Sequence, residues 1–401
     1  MRWGKWATAA VAVAVVGGGT GTALMVLPGS GGVSSAVASA AATGDTMTMT
    51  DTSCASEWAK APTSAGGRTF TITSGATVPG EVNLDNAAGQ VVAEVESMAP
   101  RSSVRLSVTL GAGSYRWYCY PQGKPSTHSA PIALTGAAGP GPVAVSPVAL
   151  SDLAGPGQQY ETYAAGSLAT LAAKVTQIQG DLRAGRLAAA RTDWLQAQMD
   201  WELVGASYDS FGDLGQAVDG LPAGLPRGVA DPQFTGLHRL EYGLWHGQDA
   251  ATLETVATQL QASIGRVRAN LSSPGLAGDP AQLPVRAHEI LEDALRDHLS
   301  LMDNEGGGAG YAETYADAQV TRVVLSELAP LIATRAPSLV STASGQLSAL
   351  QSALFATTAN FQWQPAKPAT RAQRDKIDAD IDATLETLSV VPDILEVHRG
   401  Q

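Results

Sequence analysis

The stretch Asp231-Pro-Gln-Phe-Thr-Gly-Leu-His-Arg-Leu-Glu-Tyr-Gly-Leu-Trp245 combines a helical apolar pattern with ionisable side chains. Asp231 followed by Pro232 predicts a helix start, because aspartate caps free amide groups and proline needs no amide donor there. At about 100° per residue, His238 and Glu241 fall in the middle of the apolar face of this helix. The apolar residues of that face are Phe234, Leu237, Leu244 and Trp245.

A carboxylate on a buried helix face needs a partner, since burying it alone costs several kcal/mol or forces it to take up a proton. His238 and Glu241 are three residues apart and point the same way, so they can share one metal ion. The alternative is a histidine–glutamate pair that satisfies itself inside a helical bundle. The spacing alone is compatible with both interpretations.

The segment Gly236-Leu-His-Arg-Leu-Glu-Tyr-Gly-Leu-Trp245 closely resembles the HxxE motif of the EfeO/imelysin family, exported helical proteins of bacterial iron uptake. The resemblance extends over residues 45–401. It implies a multidomain fold, in which an N-terminal all-β cupredoxin-like sandwich precedes a C-terminal all-α, imelysin-like pair of four-helix bundles.

The composition limits the classes of partner. A chain of 401 residues with 44% apolar residues can bury two or three cores. The net charge of −12 argues against nucleic acid as a partner and favours solubility or cation affinity. Most of the acidic excess lies in residues 152–401.

The N-terminal segment has the features of an export signal. Arg2 and Lys5 precede a mostly apolar run over residues 6–27, and Ala36-Val-Ala38 offers a cleavage site. Residues 1–38 are therefore predicted to be a signal peptide, with an uncleaved membrane anchor as the alternative. Either interpretation places the rest of the chain outside the cytoplasm, in the periplasm or on the extracellular face of the envelope.

Residues 45–135 predict a β-sandwich, because short alternating segments are separated by Gly, Pro and Ser turns. The segments are Arg68–Thr73, Glu81–Leu84, Val91–Glu96, Val104–Leu110 and Ser114–Cys119. Around Cys119 the sequence looks like the last hairpin of a cupredoxin. A blue-copper site is not expected, since His128 is the only nearby histidine and no methionine follows Cys119 closely.

Cys54 and Cys119 match the early and late cysteines of the cupredoxin-like domain in EfeO-type proteins, and Glu81 matches an acidic residue between them. Export and the positions on the first and last strands favour a disulfide. The alternative is a metal site, with copper as the ion, formed by Cys54, Cys119 and Glu81.

Residues 136–151 form a linker by composition, and residues 152–401 are predicted to be helical. Helices are expected at 157–184, 186–211, 232–247, 249–272, 282–303, 311–335, 337–359 and 369–390. Eight helices of this length favour two four-helix bundles packed together.

The resemblance implies a metal site formed by Glu202, Asp219, His238 and Glu241. Such an oxygen-rich set suits iron, with manganese or zinc as alternatives. The chain departs from the family at two positions, with Gln198 where histidine is frequent and Gly205 in place of a second glutamate. His288 and Glu292 form a candidate second site, although pairs four residues apart are common as structural support.

The functional prediction is an exported iron-binding component of an EfeUOB-like ferrous iron uptake system. The resemblance implies two partners, a membrane iron permease and a haem peroxidase of the DyP type, and possible electron transfer by the β domain. One alternative is a metal-dependent peptidase-like hydrolase, which the absence of the H-E-x-x-H pattern makes less favourable. Another is an extracellular polysaccharide-binding protein, which the acidic charge disfavours for polyanions.

Overall fold

The computed structural model describes residues 45–137, 141, 144–205, 211–271, 280–360, 362–363 and 369–397. These residues divide into two compact units, which meet in sequence at Val145 and Ser146. The predicted signal segment, residues 1–38, lies outside the described residues. Within the described part of the chain, no helix is long and apolar enough to cross a membrane.

The N-terminal unit is a β-sandwich, as the alternating segments predict. Its strands are β1 Asp45–Met49, β2 Gly66–Ser74, β3 Gly80–Asn86, β4 Val91–Met98, β5 Ser103–Leu110, β6 Gly113–Pro121, β7 Thr127–His128 and β8 Ile132–Leu134. One sheet has the order β1-β2-β5, with β1 parallel to β2. The other has the order β4-β3-β6-β7, and β8 also pairs with β6. Every second side chain of β2, including Phe70 and Ile72, is buried, which explains the alternation in its sequence.

The sandwich encloses an aromatic core. Trp58, Phe70 and Trp117 meet edge to face, with ring centroids 5.0 to 6.3 Å apart. Cys54 and Cys119 form a disulfide beside this core, so their sulfurs are not available as thiolate ligands.

The C-terminal unit is all helical. Its helices are α1 Leu150–Arg183, α2 Leu187–Glu202, α3 Asp213–Asp219, α4 Leu237–Trp245, α5 Ala250–Asn270, α6 Leu283–Asp293, α7 Gly310–Ala333, α8 Leu339–Phe355, α9 Arg371–Leu388 and α10 Val390–Ile394. A π-helical turn, Ala294–His298, directly follows α6. Helix α1 packs against α2 and α5, while α8 packs between α7 and α9. Helix α7 also contacts α1 and α2. These contacts join the group α1, α2 and α5 to the group α7, α8 and α9 around one continuous apolar core.

Several predicted helix boundaries are wrong, and the first helix, for example, begins at Leu150 rather than at residue 157. Asp231 does not cap a helix, because its Oδ1 accepts a hydrogen bond from the amide of Gln233 in a turn, and α4 begins only at Leu237. The helix predicted at 186–211 ends at Glu202, where the amide of Val204 donates to the carbonyl of Trp201 and tightens the last turn. The helix predicted at 282–303 ends in the π-helical turn.

Candidate metal centre

Helices α2 and α4 are fixed against each other by hydrogen bonds to the backbone of α4. The indole Nε1 of Trp194 donates to the carbonyl of Leu237 over 3.0 Å. The guanidinium of Arg191 donates to the carbonyl of Leu244 over 2.7 and 3.1 Å. These bonds set the position of the apolar face of α4, and with it the positions of the two ionisable residues that it carries.

His238 lies in the first turn of α4, and only 3% of its side chain is exposed. Its Nδ1 is 3.1 Å from Glu241 Oε2, and its Nε2 is 3.4 Å from Asp219 Oδ1 at the end of α3. When Nδ1 carries the proton that Glu241 accepts, Nε2 is the atom that presents a lone pair toward Asp219. Histidine ligands of metals are commonly oriented in this way by a carboxylate.

Both carboxylate oxygens of Glu241 are engaged. Oε2 faces His238, and Oε1 accepts hydrogen bonds from the amides of Glu305 and Gly307 over 3.1 and 2.7 Å. Glu241 is buried to 1% exposure, so these three contacts compensate for the loss of water around its charge. The geometry therefore favours an orienting role for this residue over direct coordination, in contrast with its predicted role as a ligand.

Gln198 connects the two remaining residues of the predicted set. Its Nε2 donates to Glu202 Oε1 over 2.8 Å and to Asp219 Oδ1 over 3.1 Å. Its own Oε1 is buried and has no hydrogen-bond partner. The four predicted residues thus lie in one cluster, in which Glu202, His238 and Glu241 are buried and Asp219 is partly exposed. Gln198 donates hydrogen bonds to two of the carboxylates.

Sequence reasoning missed the other half of this cluster. His298, on the π-helical turn, is not among the candidate residues named from the sequence, yet its Nε2 is 3.6 Å from Glu202 Oε2 and 3.2 Å from Asp317 Oδ2. On its other side, Nδ1 bonds Asp303 and lies 3.6 Å from Glu313 Oε2. One signal was available: Glu313 and Asp317 are acidic residues four apart on the buried face of α7.

Burial and charge perturb the ionisation of these groups. Burial, opposed by the charge of His238, raises the pKa of Asp219 to about 7. Burial also raises the pKa of Asp317 to about 7 and that of Glu313 well above its usual range. For His238 burial acts to lower the pKa, but the charge of Asp219 and the hydrogen bond to Glu241 outweigh it and raise the pKa to about 10. The raised pKa values favour the protonated forms of all four groups.

Among the described residues, six carboxyl groups surround two imidazoles at this centre. They belong to Glu202, Asp219, Glu241, Asp303, Glu313 and Asp317, and each has a contact with His238, His298 or Gln198. Two sets of three have ligand atoms close enough to hold one ion, Glu202 with His298 and Asp317, and His298 with Asp303 and Glu313. Carboxylate and imidazole donors together suit first-row transition metals.

The other two predicted metal sites have fewer potential ligands close together. His288 Nδ1 lies 3.5 Å from Glu292 Oε2, and 53% of the Glu292 side chain is exposed. Within the described ranges, no third imidazole, carboxylate or thiolate completes a metal-binding group with this pair. Glu81, on β3, accepts a hydrogen bond from Asn83 over 2.8 Å, and the disulfide removes Cys54 and Cys119 as its co-ligands.

Comparison with known proteins extends over most of the chain. Residues 157–391 match the family model described as imelysin, peptidase M75. The iron uptake system component EfeO of Yersinia pseudotuberculosis is 24% identical over 312 residues, which cover 76% of this chain and 79% of that protein. The protein of the same name from Escherichia coli is 22% identical over 311 residues, covering 76% of this chain and 80% of that protein. Because the family model matches more than half of its length, the chain belongs to the imelysin family.

Proposed function

We propose that this protein is an exported iron-binding component of an iron uptake system, and that iron is its cargo. The relatives named as iron uptake system components support this assignment. The main structural support for iron binding is the short distance between His238 Nε2 and Asp219 Oδ1, which lie 3.4 Å apart in the centre. An imidazole lone pair and a carboxylate oxygen in this position repel each other unless a proton or a cation lies between them.

In this proposal, His238 and Asp219 bind the ion directly, and Glu202 is linked to Asp219 through the amide of Gln198. Glu241 completes the set by holding the imidazole of His238, since both of its oxygens already accept hydrogen bonds. The same engagement makes Glu241 a poor general base, and a zinc peptidase would need such a base beside the ion. We therefore propose binding and delivery of the ion rather than peptide hydrolysis.

The finer assignments come from the family resemblance. We propose that the chain acts outside the cytoplasm and passes iron to a membrane permease, with a DyP-type haem peroxidase as the other partner. Zinc and manganese are the alternative ions at the helical centre. The β-sandwich is proposed to be cupredoxin-like in fold, and the disulfide excludes Cys54 and Cys119 from binding copper while it is intact.

Thermal unfolding with and without iron tests the proposal. Iron in hundredfold excess over its dissociation constant stabilises a folded protein by about 2.7 kcal/mol, or roughly 5–10 °C in a unit of this size. Wild type should show this shift with ferrous iron under anaerobic conditions or with ferric citrate, and His238→Ala should lose most of it. His246→Ala is the matched control, because His246 directly follows α4 and is exposed. A wild type that neither contains metal after purification without chelators nor responds to iron would refute iron binding.

A further inference from the structure

We infer that the centre of the helical unit binds two cations side by side, with His298 as a ligand of the second. This inference rests on the proposed function, since the first cation is the one held by His238 and Asp219. The second position is formed by His298 Nε2, Glu202 Oε2 and Asp317 Oδ2. Imidazole and carboxylate ligands suit a divalent or trivalent first-row metal ion at both positions.

The two histidines are oriented in the same way. Glu241 lies against Nδ1 of His238, and Asp303 lies against Nδ1 of His298. In each pair the carboxylate fixes the Nδ1–H tautomer and leaves Nε2 as the coordinating atom. The Nε2 atoms then face different carboxylates, Asp219 for the first histidine, and Glu202 with Asp317 for the second.

The distances around His298 Nε2 are close to those between the ligand atoms of one metal ion. Ligand atoms bound at about 2.1 Å from a common ion lie roughly 3 to 3.5 Å from one another. His298 Nε2 is 3.2 Å from Asp317 Oδ2 and 3.6 Å from Glu202 Oε2. Only 11% of the His298 side chain is exposed, so water has little access to the space between these atoms.

Asp317 provides an independent indication that this position binds a ligand. It is fully buried, at 0% exposure, on the inner face of α7. Neither of its oxygens receives a hydrogen bond of acceptable geometry, although His298 Nε2 is close to one of them. A buried carboxylate without a hydrogen-bond donor costs several kcal/mol, and coordination of a cation removes that cost.

Glu202 connects the two positions. Its Oε1 accepts a hydrogen bond from Gln198 Nε2, which also donates to Asp219 Oδ1, while its Oε2 faces His298. A carboxylate shared in this way holds two metal ions about 3.5 to 4 Å apart in two-metal sites. Charge favours the pair as well, because one divalent ion neutralises only a part of the six carboxylates described above.

The competing interpretation gives His298 a purely electrostatic role. Its imidazolium would then replace the second ion permanently, as a fixed positive charge among Glu202, Asp303 and Asp317. The two interpretations differ in stoichiometry. Two ions per chain require His298 Nε2 to be free of its proton, whereas a fixed imidazolium limits the chain to one ion.

Metal stoichiometry and ion–ion coupling test the inference. Wild type, His298→Ala, Asp317→Asn and His238→Ala are titrated with Mn²⁺ and, anaerobically, with Fe²⁺, and bound metal is counted by elemental analysis. Electron paramagnetic resonance of the Mn²⁺ forms reports whether two ions are close enough to couple. His246→Ala is the matched control, since His246 is an exposed histidine that directly follows α4. Asp317→Asn keeps the shape of the side chain, so it decides the outcome if His298→Ala does not fold.

We expect two coupled ions in wild type and in the control, and one uncoupled ion in each of the other three variants. One ion in wild type that survives in His298→Ala and Asp317→Asn would overturn the inference and leave the proposed function intact. If wild type binds one ion, and both His238→Ala and His298→Ala lose it, the inference is also overturned. The two histidines would then bind the same single ion. A wild type that binds neither metal would refute the proposed function itself.

Discussion

Gly236→Ala should disrupt the centre without touching any of its ligands. Gly236 precedes α4 with φ 93° and ψ −160°, a backbone conformation that is essentially restricted to glycine. A Cβ at this position would lie 2.2 Å from the carbonyl oxygen of Val218 and 3.0 Å from the amide nitrogen of Asp219. The first contact must lengthen by about 1 Å to become acceptable, and the carbonyl that has to move is next to a ligand-bearing residue.

The expected magnitude follows from two contributions. The backbone conformation costs about 1–3 kcal/mol for a residue with a side chain, and the collision adds about 1–3 kcal/mol. Gly236→Ala should therefore lower the free energy of unfolding by about 2–6 kcal/mol. It should also weaken metal binding by tenfold or more, because Asp219 moves relative to His238.

Gly247→Ala is the matched control, since Gly247 lies just beyond the other end of α4. It also has a positive φ, 71°, but a Cβ there meets no atom within 4 Å. The control should lose only about 1–2 kcal/mol and keep full metal affinity. Urea unfolding of the metal-free proteins and calorimetric titration with metal measure both effects. Equal losses in the two variants, or undiminished affinity in Gly236→Ala, would refute the proposed packing of α3 against α4.

Two further predictions concern the ionisable groups of the centre. In metal-free protein, the pKa of Asp317 is raised from 3.8 to about 7, so its contribution to stability is present below pH 4 and is lost as the pH rises to 7. Asp317→Asn should remove that part of the pH dependence of the melting temperature, and an unchanged pH profile would contradict the assigned burial. Glu241→Gln should reduce metal affinity by about 10- to 100-fold, because an amide cannot accept from His238 and from two amides with the strength of a carboxylate. Calorimetric titration measures this loss, and unaltered affinity would exclude the orienting role.

The secondary structure was largely predictable because local patterns encode it. Alternation in segments such as residues 68–73 follows from a strand with one buried face, and it identified five strands of the sandwich. The strand Asp45–Met49 was missed, although Met47 and Met49 are buried core residues on alternate positions. Helix ends were less predictable, since Asp231 forms a turn with its own neighbour that competes with helix capping.

The centre was predictable only in part, for a physical reason. His238 and Glu241 are on one helix, so their spacing brings them together without any knowledge of the tertiary fold. His298 reaches Glu202 and Asp317 only through the packing of the π-helical turn against α7 and the contact of α2 with α7. Contacts between residues so far apart in sequence leave no periodic pattern, and the resemblance pointed to Glu202 and Asp219 but not to His298.

The hydrogen bonds that the segment 304–307 donates to Glu241 affect the rate at which a bound ion can leave the centre. Glu305 and Gly307 donate to Glu241 Oε1, while Asn304 and Gly306 beside them are exposed. Hydrogen bonds to a charged group contribute about 1.5–3 kcal/mol each, so lifting this segment costs about 3–6 kcal/mol. That corresponds to an opened form in roughly one molecule in a few hundred to a few tens of thousands. Exchange of a deeply buried ion can then proceed by local opening of a few residues, far faster than unfolding of the bundle.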